Sequence, residues 1–260
     1  MSSVIDARPW RPRNPAPPPH WNPFAPLVWQ LLAAIAIAAS FVAVLVLTVP
    51  VTFAFCTEMT VIFIHEAGHG LLAWVGDGHI HRLTVRADGS GLAHVAHGGG
   101  AHGVLVYGAG LALPALIGAL LMATALTRCG LDVVPIVLAG LTGALTYLFV
   151  DGEPAVKLAL YGVAAGLFVT GLVPMPGPLK AGLVGMVAAA ITHAVVRSAS
   201  YASVEYIGGD PERPSDARLI ADALELSSIE EVTAALLGVM IAFYVVAGLF
   251  SWAWLARHWR

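Results

Sequence analysis

Charge is what this sequence lacks most. Only 11% of its 260 residues are Asp, Glu, Lys or Arg, while 58% are hydrophobic and the mean hydropathy is +0.81. Soluble globular domains carry roughly a quarter charged residues, so water is not the main solvent for this chain. Nor, with a net charge of -3 and a pI near 6.3, is a basic stripe present to neutralise phosphates, and no nucleic-acid partner is expected. Cysteine is equally scarce. Cys56 and Cys129 stand alone, with no Cys-x-x-Cys pair, so a disulfide framework is excluded and both read as buried thiols behaving as small hydrophobes. The first 25 residues also lack the apolar core of a signal peptide. They are polar and carry Pro9, Pro12, Pro15, Pro17, Pro18 and Pro19, a composition that predicts a disordered tail. The first membrane span is expected to act as an uncleaved insertion signal.

Long hydrophobic runs, by contrast, are abundant. A membrane helix needs about 20 predominantly apolar residues. Residues 26 to 57 carry no charge, and the apolar character continues to Val75. That is too long for one crossing, and Pro50 offers the break. The pattern predicts spans near 26–49, 51–75, 103–127, 132–150, 155–173, 179–200 and 231–256. The fold expected is therefore an all-α polytopic membrane protein of six to seven transmembrane helices, forming one membrane domain over residues 26–260. With the N-terminus placed in the cytoplasm, nine Lys and Arg fall on inner segments and four on outer ones, as the positive-inside rule requires. This makes an integral protein of the lipid bilayer, of bacterial plasma-membrane type. Two polar stretches interrupt the spans. Residues 76–102 read as a β-hairpin at the membrane surface, turning at Asp88-Gly89-Ser90-Gly91. Residues 201–230 read as a juxtamembrane segment with a short helix from Ser215, its N-cap, to Leu226.

One motif carries chemistry. In His65-Glu66-Ala67-Gly68-His69 the two histidines stand at i and i+4, on one face of a helix, and can present two imidazoles to one Zn²⁺. Zinc lowers the pKa of water toward about 7. Glu66, beside the pair, is the expected general base, which later hands its proton to the leaving amine. Three ionisable groups within five residues of a hydrophobic helix are costly and point to function. Ala67 and Gly68 keep the flank small enough for a close helix contact. Glu58, two turns earlier on nearly the same face, reads either as a partner to a ligand imidazole or as a protonated acid bonded within the bundle.

The order of these elements resembles the site-2 proteases, the intramembrane zinc metallopeptidases, in their short branch without regulatory domains. There the His-Glu-x-x-His helix precedes a β-hairpin and then a helix with a small-residue motif. Here His65–His69 precedes His79-Ile-His-Arg-Leu-Thr-Val-Arg-Ala-Asp-Gly-Ser-Gly and then Tyr107-Gly-Ala-Gly-Leu-Ala-Leu-Pro. The branch also carries Ser-Asp-Ala before its last helix, and Ser215-Asp216-Ala217 occupies that place. The resemblance covers about residues 51 to 256 and implies zinc-dependent hydrolysis of peptide bonds in membrane-embedded or juxtamembrane protein substrates.

A catalytic zinc usually takes three protein ligands, and the Leu-Asp-Gly that supplies the third in typical site-2 proteases is missing here. Lys180 stands where that Asp is expected, and an ammonium is not a ligand. Three carboxylates remain on the correct side: Asp216 first, from Ser-Asp-Ala; Asp151, from Asp151-Gly152; and Glu205. For Asp216 the alternative is an ordinary first-turn acid favoured by the helix dipole. His79, His81, His94, His97 and His102 alternate between strand faces and form no obvious second metal cluster. A hairpin edge could hold an extended substrate by strand addition, since a membrane helix must unwind before its peptide bonds can be cut. Two other readings stay open. One is a degenerate scaffold or binding protein of the same fold, for which the absent Leu-Asp-Gly argues. The other is a transporter, against which the concentration of charge in one motif argues.

Overall fold

The computed structural model describes residues 28–32, 35–36, 39, 50–198, 203–207, 212 and 214–258. The expected Pro-rich tail and most of the first expected span lie outside the described residues. The chain is mostly helical, and its order is α1 (Pro50–Val75), β1 (His79–Val85), β2 (Gly91–Ala96), α2 (Ala101–Thr127), α3 (Val133–Phe149), β3 (Val150–Gly152), α4 (Pro154–Leu172), α5 (Gly177–Ser198), α6 (Asp216–Ala223) and α7 (Glu230–His258). Helix α1 is described from Pro50 onward, and the residues just before the break expected there, 40–49, lie outside the described residues.

Close approaches give the helix directions. Gly68 of α1 lies against Ala109 of α2, and Gly76, just past the end of α1, lies against His102 near the start of α2, so the two helices run antiparallel. Gly118 and Ala125 of α2 face Ile191 and Gly185 of α5, again antiparallel, whereas Gly108 and Gly118 face Leu236 and Tyr244 of α7, which runs parallel to α2. The bundle thus has two ends. One holds the C-terminal half of α1, the start of α2, α6 and the start of α7. At the other, the buried Lys180 ammonium bonds both the Asp132 carboxylate and the Gly171 carbonyl, tying α5 to the ends of α3 and α4. That position, remote from His65 and His69, agrees with excluding Lys180 as a ligand.

The main core joins Met59, Phe63 and Ile64 of α1 to Leu111 and Leu121 of α2, Val184 and Ile191 of α5, and Leu83 and Val85 of β1. Outward faces stay apolar: Val239, Ile241, Val245, Val246, Leu249 and Phe250 of α7 are all exposed. In an integral membrane protein, lipid covers such a surface.

The structure corrects three expectations. Among the described residues, four helices are long and apolar enough to cross a membrane, α2, α4, α5 and α7, fewer than the seven spans predicted. Helix α3 has 17 residues, or about 26 Å of rise, just short of the ~30 Å hydrocarbon core; α1 carries Glu58 and Glu66 within its 26 residues. Second, the hairpin is part of a three-stranded sheet ordered β2-β1-β3, with β3 parallel to β1 through Leu83↔Val150 and Val85↔Gly152. Three residues at a helix end leave no period-2 pattern to read. Third, the hairpin packs along a helix, a course that the sequence reading did not contain. Ile80 packs beside Gly70 while the turn at Gly89 (φ 85°) reaches Glu58. It therefore runs back along α1 over 12 residues, or about 18 Å of helix. Leu83 and Val85, fully buried, seal it to the bundle.

Candidate metal centre

His65 and His69 stand one turn apart on α1, with their Nε2 atoms 3.2 Å apart. Asp216, the first residue of α6, brings Oδ2 to 3.1 Å from His65 Nε2 and 3.5 Å from His69 Nε2. Three ligand atoms bound tetrahedrally at about 2.0–2.1 Å from one zinc lie about 3.3 Å apart. The observed triangle has that size, and its chemistry of two imidazoles and one carboxylate is a common zinc donor set.

The imidazoles are aimed by their surroundings. His69 is buried, and its Nδ1–H donates to the Val106 carbonyl at 2.8 Å. That bond leaves Nε2 unprotonated and free to act as a ligand. The small-residue motif of α2 makes the room. A Cβ at Gly110 would lie 2.5 Å from the His69 ring and 2.9 Å from the His65 ring, and one at Gly68 would collide with the Ala109 backbone. Glycine is thus needed at both positions for α2 to close over the histidines.

Glu66 is buried beside the pair, on the side facing the sheet. Its carboxylate lies against β2, so that a side chain at Gly91 would collide with it. Position 91 therefore has to be glycine if β2 is to approach Glu66 this closely. Val106, Gly110 and Gly91 escaped the sequence reading as site residues. The small-residue motif was the signal for Gly110, but a carbonyl acceptor leaves no trace in residue type.

Other candidates go elsewhere. Among the described residues, only His65, His69 and Asp216 form a group of metal-ligand geometry. Asp151, the second choice, accepts Arg82 Nη1 at 3.1 Å on the exposed face of the sheet. Glu205, the third, accepts Arg218 Nη1 at 2.7 Å. Glu58 is exposed beside the hairpin turn, so neither role read for it in the bundle holds. The other histidines are scattered: His94 meets Arg82, His97 its neighbour's Gly98 carbonyl, and His102 the Leu72 carbonyl at the end of α1. Ser215 caps α6 as expected, its Oγ accepting the Arg218 N–H at 3.2 Å.

Comparison with known proteins adds a family. No match was found among curated proteins or among solved structures. The profile of the family described as Peptidase M50B-like matches residues 34–255, from before α1 to the last turns of α7. Covering nearly the whole chain, and with it every residue of the site, the match establishes that this protein belongs to the Peptidase M50B-like family of membrane peptidases, within the site-2 proteases.

Proposed function

We propose that the chain is an intramembrane zinc endopeptidase in which His65, His69 and Asp216 hold the metal and Glu66 is the catalytic base. The observation that carries this reading is the convergence of three donor atoms within 3.1–3.5 Å of one another, drawn from positions 151 residues apart in sequence. Bound zinc would supply Lewis acidity toward water and toward a peptide carbonyl.

The protein's own groups account for the rest. Glu66 takes a proton from the attacking water and returns it to the amine that leaves when the C–N bond breaks. The close packing of β2 at Gly91 confines the carboxylate beside the two histidines before substrate arrives. Burial of Glu66 and His69 excludes bulk water, so the proton passes between few partners. Strand β2 lies at the edge of its sheet. An extended substrate segment pairing beside it would bring its scissile carbonyl close to Glu66, and its backbone groups would find partners that lipid does not offer. Substrates on this reading are membrane-embedded or juxtamembrane protein segments, unwound at the cut.

Metal content tests the assignment. Purified wild type is expected to carry about one zinc per chain, with His65→Ala, His69→Ala and Asp216→Asn each reducing occupancy and Asp151→Asn leaving it unchanged. Full occupancy in His65→Ala/His69→Ala would remove the site, and loss on Asp151→Asn with retention on Asp216→Asn would exchange the third ligand.

A further inference from the structure

Two of the three donors ride on a long helix, but Asp216 opens an eight-residue one. Helix α6 rests through Ala217, Ile220 and Ala221 on Val104 and Tyr107 of α2 and Val232 of α7. Apolar contact of this kind is non-directional. It holds α6 down without fixing its rotation or its slide along α2, whereas a metal site needs its ligands placed within about half an ångström. Something directional has to set Asp216.

We infer that Arg218 is a positioning residue for the metal centre, latching α6 to the 203–207 segment so that Asp216 faces His65 and His69; this rests on the metal reading above. The Arg218 guanidinium gives Nη1 to Glu205 Oε1 and Nη2 to Asp222 Oδ1, both at 2.7 Å. Glu205 also accepts the Ser215 N–H on its backbone carbonyl at 3.1 Å. The same residue therefore holds the neighbour before Asp216 by its main chain and the residue two beyond by its side chain. The Ser215 Oγ bond to the Arg218 N–H closes the triangle, and a Tyr206–Pro214 bridge closes its base. Glu205 and Asp222 are about half exposed, at 49% and 52%. Pairs that open to water add little stability, so the latch supplies geometry: a planar fork with a separate nitrogen for each carboxylate, which a lysine cannot match.

The experiment measures zinc affinity of the full-length chain in detergent by chelator competition, with cobalt absorption as a second readout. Arg218→Gln is expected to weaken zinc about 10–100-fold, the range for lost support of a ligand, and to shift the cobalt bands toward those of Asp216→Asn. In an Asp216→Asn background the same change is expected to cost no more than about twofold, because nothing remains for the arginine to aim. Glu205→Gln, which leaves α6 and its backbone bond intact, is expected to lower affinity in the same direction and carries the test if Arg218→Gln does not fold. Unchanged affinity, or an equal loss in both backgrounds, overturns the latch while wild-type zinc binding still stands. A wild type that takes up no zinc instead removes the metal reading on which the latch depends.

Discussion

At position 110 a single hydrogen decides whether two imidazoles and a helix can share the same space. A methyl group there would sit 2.5 Å from the His69 ring, well inside van der Waals contact, and helical backbone would accept the alanine readily. The substitution is therefore a clean probe of the imidazoles. Gly110→Ala is expected to weaken zinc by about tenfold or more, the scale on which disturbed ligand support acts, while circular dichroism stays that of wild type. Zinc affinity unchanged by Gly110→Ala would mean that the histidine geometry described here is not the one that binds. The residue scale is also where sequence served best. The i, i+4 spacing of His65 and His69 is local arithmetic, and Glu66 follows from it. Asp216 was readable as a candidate because Ser215-Asp216-Ala217 carries part of the family resemblance. Glu205 and Asp151 could not be ranked apart from it by residue type, since all three are carboxylates on the same side, and only their partners, Arg218 and Arg82, separate them.

At the scale of elements, the placement of β2 beside Glu66 is what, on the proposed reading, turns the candidate metal site toward a substrate backbone. The hairpin was legible as two strands and a turn, but its course along α1 was not. That course depends on Gly70, Gly78 and Gly91 packing against Ile80, Ala73 and Glu66, contacts between segments that no periodicity records. The third strand was hidden for a similar reason, being three residues long and paired 67 positions away, Leu83 with Val150. Strand β2 gives its own prediction. In Gly91→Ala the new methyl group meets the Glu66 carboxylate and Ile62, so either β2 or the carboxylate must yield. Zinc content is expected to stay at the wild-type level while cleavage of a membrane substrate falls, by up to the roughly 10²–10⁴-fold that a general base contributes. Loss of zinc together with activity would place Gly91 in support of the ligands, contrary to the geometry.

For the whole molecule, the helix directions put the start of α2 and the end of α7 at opposite ends of the bundle. Ala101 begins α2 at the end of the bundle that holds His65 and His69, and His258 ends α7 far from it. A reporter beside Ala101 is expected to read the cytoplasm, with Lys157, Arg197 and Arg218, and one after His258 the other side. Matching readings from the two would break the alternation of the bundle. Span positions were legible because apolar runs and Pro50 are local signals. Their number was less so, since α3 falls short in length and α1 carries the site's own charge.

The central claim, that this bundle exists to cut peptide bonds, rests on Glu66 as a base that does not bind metal. Glu66→Gln keeps the shape of the side chain and removes the proton acceptor. The decisive measurement compares membrane-protein fragments in cells making wild type or Glu66→Gln, with zinc determined on the same purified proteins. The account predicts equal zinc, with specific fragments in wild type replaced by uncut precursors in the variant. Identical fragment patterns at equal zinc would contradict it and leave a metal-binding protein of the same fold that does not cleave.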